Sequence, residues 1–132
     1  MLEAFAAQSA QLTQSTTDWS QLKASAAGGL LRMEPGVAER AAQRCEAMVA
    51  TLDGRYRDAQ FLVVSANMGD CVVGNQLRDT FNNKATGGTN SLISVIAQHQ
   101  QILTDMAATY RAAGAAFAAQ ESTNVNHLGG SA

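Results

Sequence analysis

Proline, tryptophan and cysteine are nearly missing from this 132-residue chain, which has one Pro, one Trp and two Cys. A single Pro outside any repeat excludes a collagen-like or proline-rich chain, and 46% apolar residues argue against disorder throughout. Cys45 and Cys71, with no CxxC spacing, are too few for a disulfide scaffold or a zinc site. An excess of either charge is missing too. Nine Lys and Arg against eleven Asp and Glu leave −2, so there is no basic footprint for nucleic acid or anionic lipid. Apolar runs are short, such as Phe61-Leu62-Val63-Val64, and a membrane-spanning helix, which needs roughly 18 or more apolar residues, is excluded. The opening Met1-Leu2-Glu3-Ala4-Phe5 carries an acid, and no Lys or Arg precedes Lys23. That is unlike a Sec signal peptide, so any export is expected to use a signal-peptide-independent route.

Alanine is what the chain has in quantity, 25 residues, while aromatics are 5%. This predicts thin, small-residue helical faces and a modest single core. Pro35 suits a first helical position, where its missing N–H costs nothing. Val37, Ala41, Cys45, Met48, Leu52, Tyr56, Ala59 and Val63 then recur at helical period, with charges mostly off the seam. The spacing predicts a helix over 35–66. Asp53-Gly54 is a turn signal inside it, but the seam stays in phase and one Gly costs only about 1 kcal/mol. Asn67, Met68, Gly69 and Asp70 are the predicted inter-helix turn, with Asp70 as cap of the next helix.

A second helix is predicted to about Glu121, kinked or split at Thr86-Gly87-Gly88-Thr89. Its seam includes Leu77, Phe81, Ala85, Leu92, Ile96, His99, Leu103, Met106, Tyr110, Ala113 and Phe117, nearly heptad from Leu92 on. Residues 122–132 are polar and read as a disordered tail. Residues 1–28 read as one or two short helices, joined flexibly through Gly28-Gly29. The expected fold is all-α: an antiparallel helical hairpin over 30–121 with an N-terminal extension.

Folding back around Met68 brings Val37 to the region of His99 and leaves Leu103 to Phe117 overhanging. That stripe must be covered by residues 2–27, by a second chain, or by both. The expected partner interface is therefore Leu92, Ile96, His99, Leu103, Met106, Tyr110 and Phe117. Two hairpins of small residues are individually marginal, and pairing into four helices supplies the missing core.

Catalytic chemistry is hard to find. The two histidines are His99, on the seam, and His127. No HExxH, GxGxxG, Walker loop or GxSxG occurs. Asn82-Asn83-Lys84 before Thr-Gly-Gly-Thr shares only composition with a phosphate loop, and the carboxylates are scattered. Cys45 reads as a small buried thiol, and Cys71 opens the second helix with no partner base nearby. Neither enzyme activity, cofactor nor metal is expected.

The order of helix, glycine turn, longer alanine-rich helix and aromatic-plus-acid ending resembles the WXG100 (Esx) superfamily, and most closely its actinobacterial ESX secretion-associated relatives. The resemblance runs from about Leu30 to Glu121. Asn67-Met68-Gly69 stands where the family has Trp-x-Gly, and Gly69-Asp70-Cys71 through Leu77 and Phe81 is similar to the segment after the family's turn. Phe117-Ala118-Ala119-Gln120-Glu121 resembles the family's Tyr-x-x-x-Asp/Glu export motif, with Phe for Tyr, while Tyr110 has Gly114 four residues on. The resemblance implies a small non-enzymatic substrate or co-secreted partner of a type VII secretion system, with Phe117, Glu121 and Tyr110 as its export signal. It also implies a second hairpin protein, another copy or a toxin as partner, and engagement by a secretion ATPase. A cytosolic helical-bundle adaptor or chaperone is the alternative, favoured by the free cysteines.

Overall fold

A computed structural model of the protein describes residues 2–62, 71–87 and 91–130. They form four helices: α1 (Leu2–Ala27), α2 (Pro35–Gln60), α3 (Val72–Asn82) and α4 (Leu92–Gly130), with a π-helical turn at Asn83–Gly87 after α3. No strand occurs among the described residues. Local chemistry explains the boundaries. Pro35 stands at the start of α2, and Glu34 caps it, its two carboxylate oxygens accepting from the Gly36 and Val37 N–H groups at 3.0 and 2.8 Å. These backbone donors hold the Glu34 carboxyl below the usual range. At the end of α1 the Leu30 N–H reaches the Ser25 carbonyl at 2.9 Å, with Gly29 at φ 81°. That left-handed residue closes the helix, and only glycine adopts it freely.

Helix α4 is the centre of the molecule. Helix α2 packs antiparallel along one side of it and α1 along the other, while α1 and α2 do not pack on one another. The α2 contact is close because both surfaces are small. A Cβ on Gly114 would lie 2.9 Å from the Ala38 Cβ and 3.4 Å from the Pro35 Cα. Farther along, the Gln100 side-chain amide donates to the Val49 carbonyl at 3.2 Å. Between these points Ala42, Cys45 and Ala107 form the buried core, against which Leu103, Met106 and Tyr110 pack. Burial pushes the Cys45 thiol pKa up.

The α1 side is fastened differently. Trp19 meets Tyr110 edge to face, ring centres 5.9 Å apart, and Lys23 reaches the largely buried Asp105 at 3.9 Å. Thr109 is fully buried here, its hydroxyl donating to the Asp105 carbonyl at 2.7 Å. Ala26 and Ala27 line a cleft with Ala112 and Ala116, so α1 ends where α2 begins and runs in the same sense as α4.

Several expectations are corrected. The described residues are all-helical, and the predicted second helix is divided where Thr86-Gly87-Gly88-Thr89 suggested, into α3 with its π-helical turn, ending at Gly87, and α4, starting at Leu92. The register differs from the expected one: the start of α2 meets Gly114, through Pro35 and Ala38, and not the region of His99. The first helix of the pair ends at Gln60 rather than 66, passing straight through Asp53-Gly54. The second begins with Cys71 as its cap, the sulfur accepting from the Gly74 N–H at 3.3 Å. Residues 2–27 form one 26-residue helix, and the connection after it is fastened by the Met33 N–H on the Ala113 carbonyl at 3.0 Å. The predicted tail is helical through Gly130. The predicted turn Asn67, Met68, Gly69 and Asp70 lies outside the described residues, as does Gly88 of the predicted kink.

A candidate partner-binding trough on the central helix

At 100° per residue, α4 divides into distinct lines. Gln100, Ala107 and Gly114, seven residues apart, meet α2. Asp105, Thr109, Ala112 and Ala116 lie nearly opposite, toward α1. The two intervening sides of α4 differ in chemistry. On one, Arg111 donates to Glu39 at 3.1 Å and to Glu46, bridging to α2. Gln100, Thr104 and Ala108 continue that side, lining a shallow groove with Glu46, Ala50 and Asp53 of α2. Arg111 lowers the Glu39 pKa, and its own is raised by the two carboxylates.

The other side carries His99, Leu103, Met106, Tyr110 and Phe117. His99 is exposed, and the other four are half-buried. α2 continues this face with Val37 and Met48, which are 45% and 49% exposed, and α1 with Leu22, 40% exposed beside the half-buried Trp19. Because α1 and α2 stand apart across α4, these residues line one apolar face, the trough: α4 runs along its middle and the two outer helices border it. Between His99 and Tyr110 it runs about 17 Å at 1.5 Å per residue.

The residues expected at a partner interface are thus divided. Ile96 is buried, Leu103, Met106 and Tyr110 are half-covered by the chain's own helices, and Leu92 and His99 are exposed. The stripe does not overhang as expected: α2 packs against Leu103, Met106 and Tyr110, and together with α1, one of the expected covers, it leaves them half-exposed. Phe117 and Glu121 lie four residues apart on α4, half-buried and exposed respectively, while Tyr110 is held against Trp19 and the core. Among the described residues no three of His, Cys, Asp or Glu gather as a metal site. Cys45 and Cys71 are free thiols, one buried and one exposed.

Two features were missed in the sequence. Trp19 belongs to the Tyr110 cluster, although ninety residues separate them and no local pattern links them. Helix α3 exposes Val73, Leu77 and Phe81, with Val72 beside them, and among the described residues packs only on the π-helical turn after it. Leu77 and Phe81, expected on the seam of the second helix, are exposed. Comparison with protein-family models, curated proteins and solved structures finds no match to this chain.

Proposed function

We propose that this chain is a non-catalytic helix-pairing protein that seats a partner helix in the trough along α4. One observation carries the reading: Val37, Met48 and Leu22 are large apolar side chains left 40–49% exposed around a half-buried floor of Leu103, Met106 and Tyr110. Isolated exposed apolar residues are ordinary, but several large ones gathered on one face favour an interaction surface. A helix laid between α1 and α2 would touch all three helices and complete a four-helix arrangement.

The sequence resemblance to WXG100 (Esx) proteins supports a more specific form. In it the chain is a substrate or co-secreted partner of a type VII secretion system, pairing with another helical hairpin protein or with itself. Phe117 and Glu121 then act as the export signal on the projecting end of α4. A cytosolic adaptor or chaperone for a toxin is the second reading, favoured by the exposed Cys71 thiol, which suits a reducing compartment.

The test is co-expression with proteins encoded by neighbouring genes, followed by size-exclusion chromatography with light scattering. Val37→Asp with Met48→Asp should abolish the complex while leaving helicity and thermal midpoint unchanged, since both side chains are on the rim. Unchanged complex mass in that variant overturns the trough as the pairing surface. Glu121→Ala should abolish release into the medium without altering stability, and normal release removes the export assignment.

A further inference from the structure

The charges of α2 are sorted by side. Glu39, Glu46 and Asp53, seven residues apart, lie toward the polar groove, where Arg111 and Arg57 pair with them. On the trough side, Val37, Arg40, Arg44, Met48, Thr51 and Arg55 follow one another at spacings of 3, 4, 4, 3 and 4, a single helical stripe that is exposed throughout. Arg55 has Asp58 at 3.6 Å. Arg40 and Arg44 form no salt bridge among the described residues, although Arg40 stands near enough to the Glu34 carboxylate to add to the lowering of its pKa by the Gly36 and Val37 N–H groups. By the α2–α4 register they stand level with Tyr110 and Met106, Arg44 on the trough flank of α2 and Arg40 farther round toward its outer face. Each carboxylate of the acidic flank is thus ion-paired within the chain, whereas on the basic flank Arg55 is paired with Asp58, Arg40 has the nearby Glu34 carboxylate, and Arg44 has no carboxylate partner among the described residues.

We infer that the occupant of the trough is an amphipathic helix with an acidic flank, its carboxylates lying over Arg40, Arg44 and Arg55 and its apolar stripe over Leu103 and Met106. This rests on the helix-seating reading above and adds the partner's chemistry. Complementary rim charges of this kind mainly raise the association rate and select the orientation, and salt weakens them. They would fix which way an otherwise featureless apolar helix lies.

The probe is a pair of synthetic amphipathic helices of about 18 residues, five turns. They share one leucine stripe and differ only in one flank, glutamate or lysine. Binding to the full-length protein is measured by fluorescence anisotropy at low and high salt. The glutamate helix should bind at least tenfold more tightly at low salt, with the advantage shrinking as salt rises. Arg40→Glu with Arg44→Glu should reverse the preference at unchanged helicity. Equal binding of the two helices overturns the acidic assignment and leaves the seat itself standing. Binding of neither overturns both. A stable dimer of the protein alone that Met48→Asp dissolves would make a second copy the occupant and also overturn the inference.

Discussion

The two open sides of α4 are built from the same pair of helices and yet finished in opposite ways. On the polar side Arg111 ties Glu39 to Glu46 and Gln100 bonds the α2 backbone, so exposed groups are matched within the chain. On the other side Met48 and Val37 stand exposed beside Arg44, which has no carboxylate partner among the described residues, and the α4 side chains are only half-covered. The difference teaches where this molecule is complete by itself. Surface ion pairs contribute little to stability, so the polar side is finished but weakly held. The apolar side holds the core and still has surface to bury.

The largest effect that sharpens this contrast comes from charge placed on each side in turn. Leu103→Asp with Met106→Asp should unfold the chain, since both side chains pack on Ala42, Cys45 and Ala107. Each buried apolar group lost costs roughly 2–5 kcal/mol, before the cost of a poorly solvated carboxylate. Thr104→Asp, on the polar side, should leave the thermal melt by circular dichroism nearly unchanged. Comparable melts for the two variants would break the distinction.

Gly114→Val comes next. A Cβ there already meets Ala38 at 2.9 Å. Gly to Ala in a helix gains only about 1 kcal/mol in propensity, whereas overpacking costs roughly 1–3 kcal/mol, and the branched side chain makes the clash worse. Urea denaturation should show a clear net loss of stability.

Trp19→Ala is expected to cost about 2 kcal/mol, less than a fully buried Trp, because the ring is half-buried and loses mainly its edge contact with Tyr110. Near-ultraviolet circular dichroism of Tyr110 should change with it. A variant as stable as the wild type would mean that α1 contributes no cover to the trough.

The smallest effect belongs to the polar side. Arg111 lowers the folded-state Glu39 pKa. A lowered carboxylate contributes stability that is present above its unfolded value of 4.5 and lost as pH falls below that value through the folded one. Arg111→Ala should flatten that part of the stability-against-pH curve slightly, and salt should do the same. Glu34, held down by the Gly36 and Val37 N–H groups, titrates in the same sense.

Much of this was legible locally and little of it at long range. Pro35 announces the start of α2, and the in-phase seam carries the helix through Asp53-Gly54. The stripe on α4 is readable because its apolar residues are large and nearly heptad. The α2–α4 register was not readable, because periodicity says which residues share a face and nothing about the length of the connection between faces. Helix α1 is rich in Gln, Ser and Thr, with a weak apolar stripe, so its continuity rests on packing against α4 rather than on pattern. The arginine stripe of α2 was present in the spacing, but it gains meaning only once one side of the helix is known to border the trough.

The most direct test of the open apolar side uses the methionines as reporters. With methyl-labelled Met and labelled amides, the glutamate-flanked helix is titrated into the full-length protein by NMR. The Met48 and Met106 methyl resonances should shift together and saturate at one equivalent, while the Thr104 and Arg111 amides stay in place. Shifts confined to the Arg111 side, or saturation with Met48 and Met106 unmoved, would contradict the account.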